Sequence, residues 1–352
     1  MLREGCVPLW SASTRCHRGR GDWSVVESER VRQWRPGRPV PVGAILGPFR
    51  RGPGDPTTVV DRDGTWWRAF RSPEGTATLA LTPGADEVIA RAWGAGAGWA
   101  LDAVPALLGA GDDPSGFAPH HDVVAAAHRR FGGYRVPASH LVVDALVPAV
   151  IEQKVTGKEA FAGYRALVRR FGEPAPGPRV GLVMAPTAAG WRGIPSWEYL
   201  RAGVTPQRSD TIMRVTRVAG RLEEIVGMPL PAARARLLAL PGVGVWTAAE
   251  CTQRALGDPD SPSFGDYHVA KEIGWALLGH DIDDDELAHL LEPYAGHRYR
   301  VQALLALAGS RRPRRGPRFT LPTHLPEGSG LARPAQRGRS GPRTTGRPPG
   351  GR

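Results

Sequence analysis

The segment LALPGVGVWTAA at residues 238–249 constrains the fold of this chain more than any other. An apolar helical pattern ends near Ala239, and Pro241 cannot continue it, because proline lacks the amide hydrogen and its ring clashes with the preceding turn. Gly242 and Gly244 permit backbone angles that a side chain disfavours, and a second helical pattern begins near Val245 with Thr247 in its first turn. Two helices joined by so short a turn form a hairpin. Amides facing outward from the turn and from the new helix N-terminus make a ready phosphate site, and such contacts position a protein on a nucleic acid without reading its sequence. On spacing alone, a plain interhelical turn is the more frequent explanation. The segment is not a dinucleotide fingerprint, since a helix precedes it and no third glycine falls in register. Nor is residues 94–98 a P-loop, because no Gly-Lys-Ser/Thr follows.

The surroundings of the hairpin are helical. Apolar periodicity predicts helices over residues 121–131, 141–155, 158–171, 196–202, 206–225, 231–239, 245–256, 267–278, 284–294 and 297–308, with Pro and Gly at their ends. Upstream, residues 57–61, 65–71 and 76–81 read as strands separated by the turns Asp63-Gly64 and Glu74-Gly75, and residues 86–94 read as a helix. The expected class is α+β: an N-terminal α+β accessory domain with a small antiparallel sheet over 31–115, then a mainly all-α core over 116–310. Residues 1–30 form an unassigned extension. Residues 311–352, rich in Arg, Pro and Gly, read as a disordered tail with too few apolar groups to offset ordering entropy.

The net charge of +12 would invite a nucleic-acid reading, but its distribution matters more. Residues 311–352 hold eleven Arg against the single Glu327, a balance of +10, and residues 1–30 contribute +1, leaving +1 for residues 31–310. The charge is therefore a property of the tail, which reads either as a solvated extension or as a DNA anchor.

Other classes fall away on residue type. Cys6, Cys16 and Cys251 are scattered, so they form no disulfide framework and cannot supply the four thiolates of an iron–sulfur cluster. The histidines show no close metal-ligand spacing. No apolar run is long enough to span a bilayer, and the first thirty residues lack the apolar region of a secretory signal. A cytoplasmic protein is expected.

The hairpin is followed by SFGDYHVAK at residues 263–271, where Asp266 opens the next helical pattern. The order LPGVGxxTA, helix, short loop, Asp resembles the helix-hairpin-helix DNA glycosylase superfamily. The Asp-Tyr pair and the Trp of VGVWTA are most similar to 3-methyladenine DNA glycosylase II and its bacterial relatives. LVPAVIEQKVTGKEAFAGYRALVRRFG at residues 146–172 is similar to that family's first core helices. The resemblance covers residues 31–310 if the sheet is the accessory domain, and is strongest over 141–310.

The resemblance implies that Asp266 is the catalytic carboxylate and that Trp246 and Tyr267 border the base pocket. It implies DNA contacts from Gln153, Lys154, Pro241, Gly242, Val243, Gly244 and Thr247. It also implies that the backbone carbonyls of Leu238, Leu240 and Val243 can hold Na+ or K+ beside a phosphate; no cofactor is otherwise expected. Where the family wedges an apolar residue into the gap left by the extruded base, this chain has Lys154, and Val155 can share the role. Bifunctional relatives carry a lysine two residues after the second hairpin glycine, to form a Schiff base. Here that residue is Trp246, so a monofunctional enzyme is expected, acting as a monomer on damaged double-stranded DNA in the nucleoid.

The residue types fit that chemistry. A base within a duplex must be flipped out to be reached. Trp246 offers an electron-rich face to a cationic alkylated purine, and a carboxylate beneath the sugar stabilises the oxocarbenium-like charge of N-glycosidic cleavage. The common local role of such an Asp is to cap a helix, and both roles can hold together. Glu250, one turn after Trp246, could contact the base or simply lie on a helix surface. His268 and Arg298 could reach phosphate or be solvated. The acidic run at residues 281–286 mimics a calcium loop but has Glu286 where Gly is needed, so it reads as a helix N-terminus. Trp66, Trp67, Trp93 and Trp99 read as packing of the sheet domain. Two alternatives stay open: a DNA-binding protein that kept the hairpin and lost excision, and a glycosylase for oxidised or mismatched bases.

Overall fold

The computed structural model describes residues 29–310 and Arg312. The remaining residues, and with them most of the expected extension and the basic tail, lie outside the described residues. The described part falls within one unit, Met1–Pro317.

The chain opens with β1 (Arg30–Trp34), α1 (Val42–Leu46), β2 (Thr58–Val60), β3 (Trp66–Ser72), β4 (Gly75–Pro83) and β5 (Val88–Trp93). The sheet is antiparallel throughout, in the order β1-β5-β4-β3-β2. A two-residue turn closes β3 on β4, with Ser72 opposite Gly75, which sits at φ +128°. The segment read as a helix over residues 86–94 is strand β5. Val88, Ala90 and Ala92 are each fully buried while Arg91 is exposed, a period of two. Pairing with both β1 and β4 satisfies its backbone, which a short isolated helix would not have achieved. Trp67 and Trp93 stack at 5.4 Å, Trp99 meets Phe70 edge-on at 6.1 Å and Trp66 packs against the same core, so all four tryptophans are packing residues as expected.

Short helices α2 (Ala97–Asp102) and α3 (Val104–Leu107) follow, then α4 (Asp122–Arg130), α5 (Val142–Ile151) and α6 (Gly157–Phe171). A small hairpin, β6 (Glu173–Pro174) with β7 (Val183–Met184), escaped the sequence reading, as did β1 and α7 (Ala188–Gly193). Next come α8 (Ser196–Arg201), α9 (Pro206–Arg217), α10 (Ala219–Glu223), α11 (Leu230–Leu238), α12 (Val245–Ala255), α13 (Val269–Leu277), α14 (Asp284–Leu290) and α15 (Arg298–Ala308). The single helix expected over 206–225 breaks at Val218, whose φ of −109° and ψ of 20° leave the helical region. The acidic run caps α14: Asp283 and Glu286 form a reciprocal capping box.

Chain order and core membership do not coincide. One core joins the sheet and α1–α4 to Ile273, Leu287, Tyr294, Val301 and Leu304 of the last three helices and their connections. A second core takes its side chains from residues 142–255 and centres on α5, with Leu146, Val150 and Ile151 buried against Ile212, Leu237 and Cys251. The halves are tied by charged groups. Arg68 of β3 pairs with Asp144 of α5, and Arg254 of α12 donates from Nε to the Pro48 carbonyl at 3.1 Å. Burying such pairs is costly unless geometry and further hydrogen bonds compensate. α12 and the loop into α13 therefore run along the junction of the two cores. Among the described residues, no helix is long and apolar enough to cross a membrane.

Candidate active site

α11 ends at Leu238 and α12 begins at Val245, forming the expected hairpin. The turn is closed by Leu240 N–H on Leu237 O at 3.1 Å and Val243 N–H on Leu240 O at 3.0 Å. Gly242 has φ +95°, and a Cβ there would lie 2.2 Å from Thr211 Oγ1. Both its backbone angle and the close approach of α9 thus require glycine. Gly244 is different. Its φ of −95° and ψ of −177° suit any residue, and a Cβ would meet nothing within 4 Å. The expectation that both glycines relieve strain holds only for Gly242.

Gln153 follows the end of α5 and clasps the hairpin. Its Nε2 donates to Gly242 O at 2.9 Å and to Thr247 Oγ1 at 2.8 Å. Thr247 is buried, so within the protein its hydroxyl serves this clasp. Lys154, the next residue, is exposed and held at φ +55°, in the left-handed region that non-glycine residues seldom occupy. Leu238 and Val245 remain exposed at either end of the hairpin, as do Pro241, Gly242 and Gly244, while Val243 is buried. Of the three carbonyls considered for a cation, that of Leu240 already accepts the Val243 N–H, leaving its second lone pair.

Asp266 lies in the loop between α12 and α13, after Gly265 at φ +87°. Its Oδ1 accepts the N–H groups of His268 at 2.7 Å and Val269 at 3.2 Å, so it caps α13. Its Oδ2 accepts the indole N–H of Trp246 at 3.1 Å. The two residues, twenty positions apart, are thus brought together, both half-buried. The carboxylate carries the local capping role and is also aimed at the aromatic side chain.

The other expected pocket residues behave differently. Tyr267 is 70% exposed, with Lys271 Nζ 3.6 Å from its ring centre. Glu250 is buried; its Oε2 pairs with Arg254 at 2.7 Å and its Oε1 accepts from Ser263 Oγ at 2.6 Å. Burial pulls the Arg254 guanidinium down, but Glu250 and neighbouring groups hold it above its ordinary value. Arg298 is committed to Asp260 through Nε at 2.7 Å and Nη2 at 2.5 Å. His268 is exposed and contributes its N–H to the cap. The sequence reading missed Ser263, which bonds Glu250 behind the loop, and Gln253 and Gln302, which bond Ser263. Only Ser263 lies near a recognisable motif, and a lone serine there gives no signal of its own.

No profile of a known protein family matches the chain. It is 29% identical over 242 residues to the probable bifunctional transcriptional activator/DNA repair enzyme AlkA of two strains of Mycobacterium tuberculosis, covering 60% of this chain. The chain spans 45% of the length of those relatives. Among solved structures, a 3-methyladenine DNA glycosylase from Archaeoglobus fulgidus matches 79% of this chain and 98% of its own, with a TM-score of 0.64 at 18% identity. An 8-oxoguanine glycosylase/lyase from Clostridium acetobutylicum, in complex with double-stranded DNA, matches 86% of this chain and 98% of its own, with a TM-score of 0.58 at 10% identity.

Proposed function

We propose that this chain, which has the fold of the helix-hairpin-helix DNA glycosylases and resembles the bacterial 3-methyladenine DNA glycosylase II group, hydrolyses the N-glycosidic bond of alkylated purines of the 3-methyladenine type in duplex DNA. The observation that carries this reading is the pairing of Asp266 with Trp246 on the hairpin of α11 and α12. Arg-rich composition carries none of it, since the charge lies in the tail.

The hairpin grips the backbone of the DNA through the exposed amides around Gly242 and Gly244 and the start of α12, with Gln153 holding the turn in shape. The carbonyls of Leu238, Leu240 and Val243 are oxygen donors that suit a hard monovalent cation. Lys154 stands next to this grip and faces the gap left by the extruded nucleotide. The flipped base stacks on Trp246, whose ring face attracts a cationic purine. As the glycosidic bond breaks, positive charge develops on the sugar, and Asp266 stabilises it and orients water. An already cationic base is a good leaving group and needs little acid assistance. With Trp246 at the position where a lyase needs lysine, the product is an intact abasic strand.

The test is base release by the purified protein from duplexes carrying single alkylated, oxidised or mismatched bases. Release of 3-methyladenine and 7-methylguanine, with strand breaks only after alkali, supports the reading. Release restricted to 8-oxoguanine or a mismatched base replaces it with the second glycosylase class. Binding without release of any base makes the protein a non-catalytic DNA binder. Nicking without alkali removes the monofunctional part.

A further inference from the structure

The loop at residues 257–268 carries Asp266 without regular secondary structure. The position of the carboxylate therefore depends on what tethers the loop. One tether is the Trp246 indole on Oδ2. Further along the loop, Gly265 N–H donates to Asp284 Oδ2 at 2.8 Å and Asp260 holds Arg298; the tether with the most bonds is Ser263, 1% exposed and three residues before Asp266. Its hydroxyl donates to Glu250 Oε1 at 2.6 Å and accepts from Gln253 Nε2 at 3.1 Å and Gln302 Nε2 at 3.0 Å. One donor and two acceptor positions are all that a hydroxyl offers. Its N–H donates to Gln302 Oε1 at 2.9 Å, and its carbonyl accepts the N–H of Asp266 itself at 3.1 Å.

The Trp246 bond to Asp266 and the Ser263 bond to Glu250 both end on α12. Trp246 and Glu250 are one helical turn apart and share a face, so this helix sets the distance between the aromatic ring and the carboxylate. Arg254 lies one turn further on. It holds Glu250 Oε2 and reaches across to the Pro48 carbonyl of the sheet half. A continuous chain of hydrogen bonds thus runs from Pro48 through Arg254, Glu250 and Ser263 to the backbone of Asp266.

We propose that Ser263 and Glu250 are positioning residues, and that Glu250 acts through Ser263 on the Asp266 loop and not on the flipped base. This rests on the glycosylase reading of the same site. Glu250 is buried, and its carboxylate oxygens are turned to Arg254 and to Ser263 of the loop. Loss of the Ser263 hydroxyl leaves its three side-chain partners without their hub and frees the loop to drift. Misplacement by about 1 Å can cost on the order of a hundredfold in rate, while the DNA grip, housed in the hairpin, is untouched.

The experiment compares full-length wild type with Ser263→Ala, Glu250→Ala and Glu250→Gln. Single-turnover base release is measured on duplexes bearing cationic 7-methylguanine or neutral hypoxanthine. Affinity for a duplex with an abasic-site analogue and amide exchange across residues 261–269 are measured alongside. Ser263→Ala and Glu250→Ala are expected to slow release about tenfold to a hundredfold, by the same factor on both bases, with abasic-site affinity kept within about twofold. Exchange rises in residues 261–269. Glu250→Gln, which keeps an acceptor for Ser263, recovers most of the rate. Loss confined to the cationic base in Glu250→Gln would mean that Glu250 touches the base, and would overturn the proposal. So would unchanged exchange in Ser263→Ala. Should the wild type release neither base, the glycosylase reading fails, and the exchange measurement alone still decides whether Ser263 anchors the loop.

Discussion

The indole N–H of Trp246 donates to Oδ2 of Asp266 at 3.1 Å, while Oδ1 of the same carboxylate caps α13 through the N–H groups of His268 and Val269. The carboxylate is fixed at both oxygens before any substrate arrives. Preorganised charge of this kind costs no reorganisation when the transition state forms. In the proposed reaction, the aromatic face for the base and the charge for the sugar would thus be held in one unit.

Asp266→Asn separates charge from shape. The amide oxygen can keep either the cap or the indole bond, so the loss of stability should stay near 1 kcal/mol, the usual worth of a cap. Base release should fall about a hundredfold to a thousandfold, as for removal of one transition-state stabiliser. Single-turnover kinetics with a parallel thermal melt check both. Full excision by the variant would assign catalysis to another carboxylate.

Trp246→Phe keeps an aromatic face and deletes the indole N–H. A hydrogen bond to a charged group is worth roughly 1.5–3 kcal/mol, so release should slow by about tenfold or more, with affinity for abasic-site DNA little changed. Trp246→Ala removes the stacking surface as well. It should lose more on cationic bases than on neutral ones, which a comparison of 7-methylguanine with hypoxanthine would measure.

The hairpin glycines should part company. Gly242→Ala forces a side chain into a left-handed backbone position and into Thr211, and overpacking of this sort costs about 1–3 kcal/mol. Gly244→Ala meets nothing within 4 Å and should melt like the wild type. Adding Thr211→Ala to Gly242→Ala should restore part of the loss, since it clears the steric conflict but not the backbone strain. Equal melting of the two glycine variants would refute this account of the turn.

What could be read from the sequence was local. Pro241 and Gly242 mark the turn by their own backbone chemistry, and Asp266 marks a helix start by its side-chain reach. Residues 86–94 misled because Val88, Ala90 and Ala92 fit a strand while the run is short enough to fit a helix. Only pairing with β1 and β4 decides it. The Ser263 hub could not be seen, because Gln302 lies 39 residues away and reaches it only through the packing of α15. The shared core of the sheet and the last helices was hidden for the same reason: nothing in the local pattern of Ile273 or Leu304 names its partner across the chain.

The same loop carries a pH-sensitive anchor. Asp260 is pushed up by burial, but the Arg298 side chain and the N–H groups of Arg298 and Gly296 outweigh this and hold its carboxyl below the ordinary value. A carboxyl with a depressed folded pKa binds its proton more weakly in the native state. Its contribution to stability is therefore complete above the unfolded value and is lost as pH falls through the folded one. The melting temperature should drop as pH is lowered from about 5 to about 3, and Asp260→Asn should melt lower at neutral pH with a shallower acid limb. Because Arg298 opens α15 and Asp260 lies on the Asp266 loop, amide exchange in residues 261–269 should rise over the same acid window in the wild type. An acid limb as steep in Asp260→Asn as in the wild type would show that other carboxylates govern it.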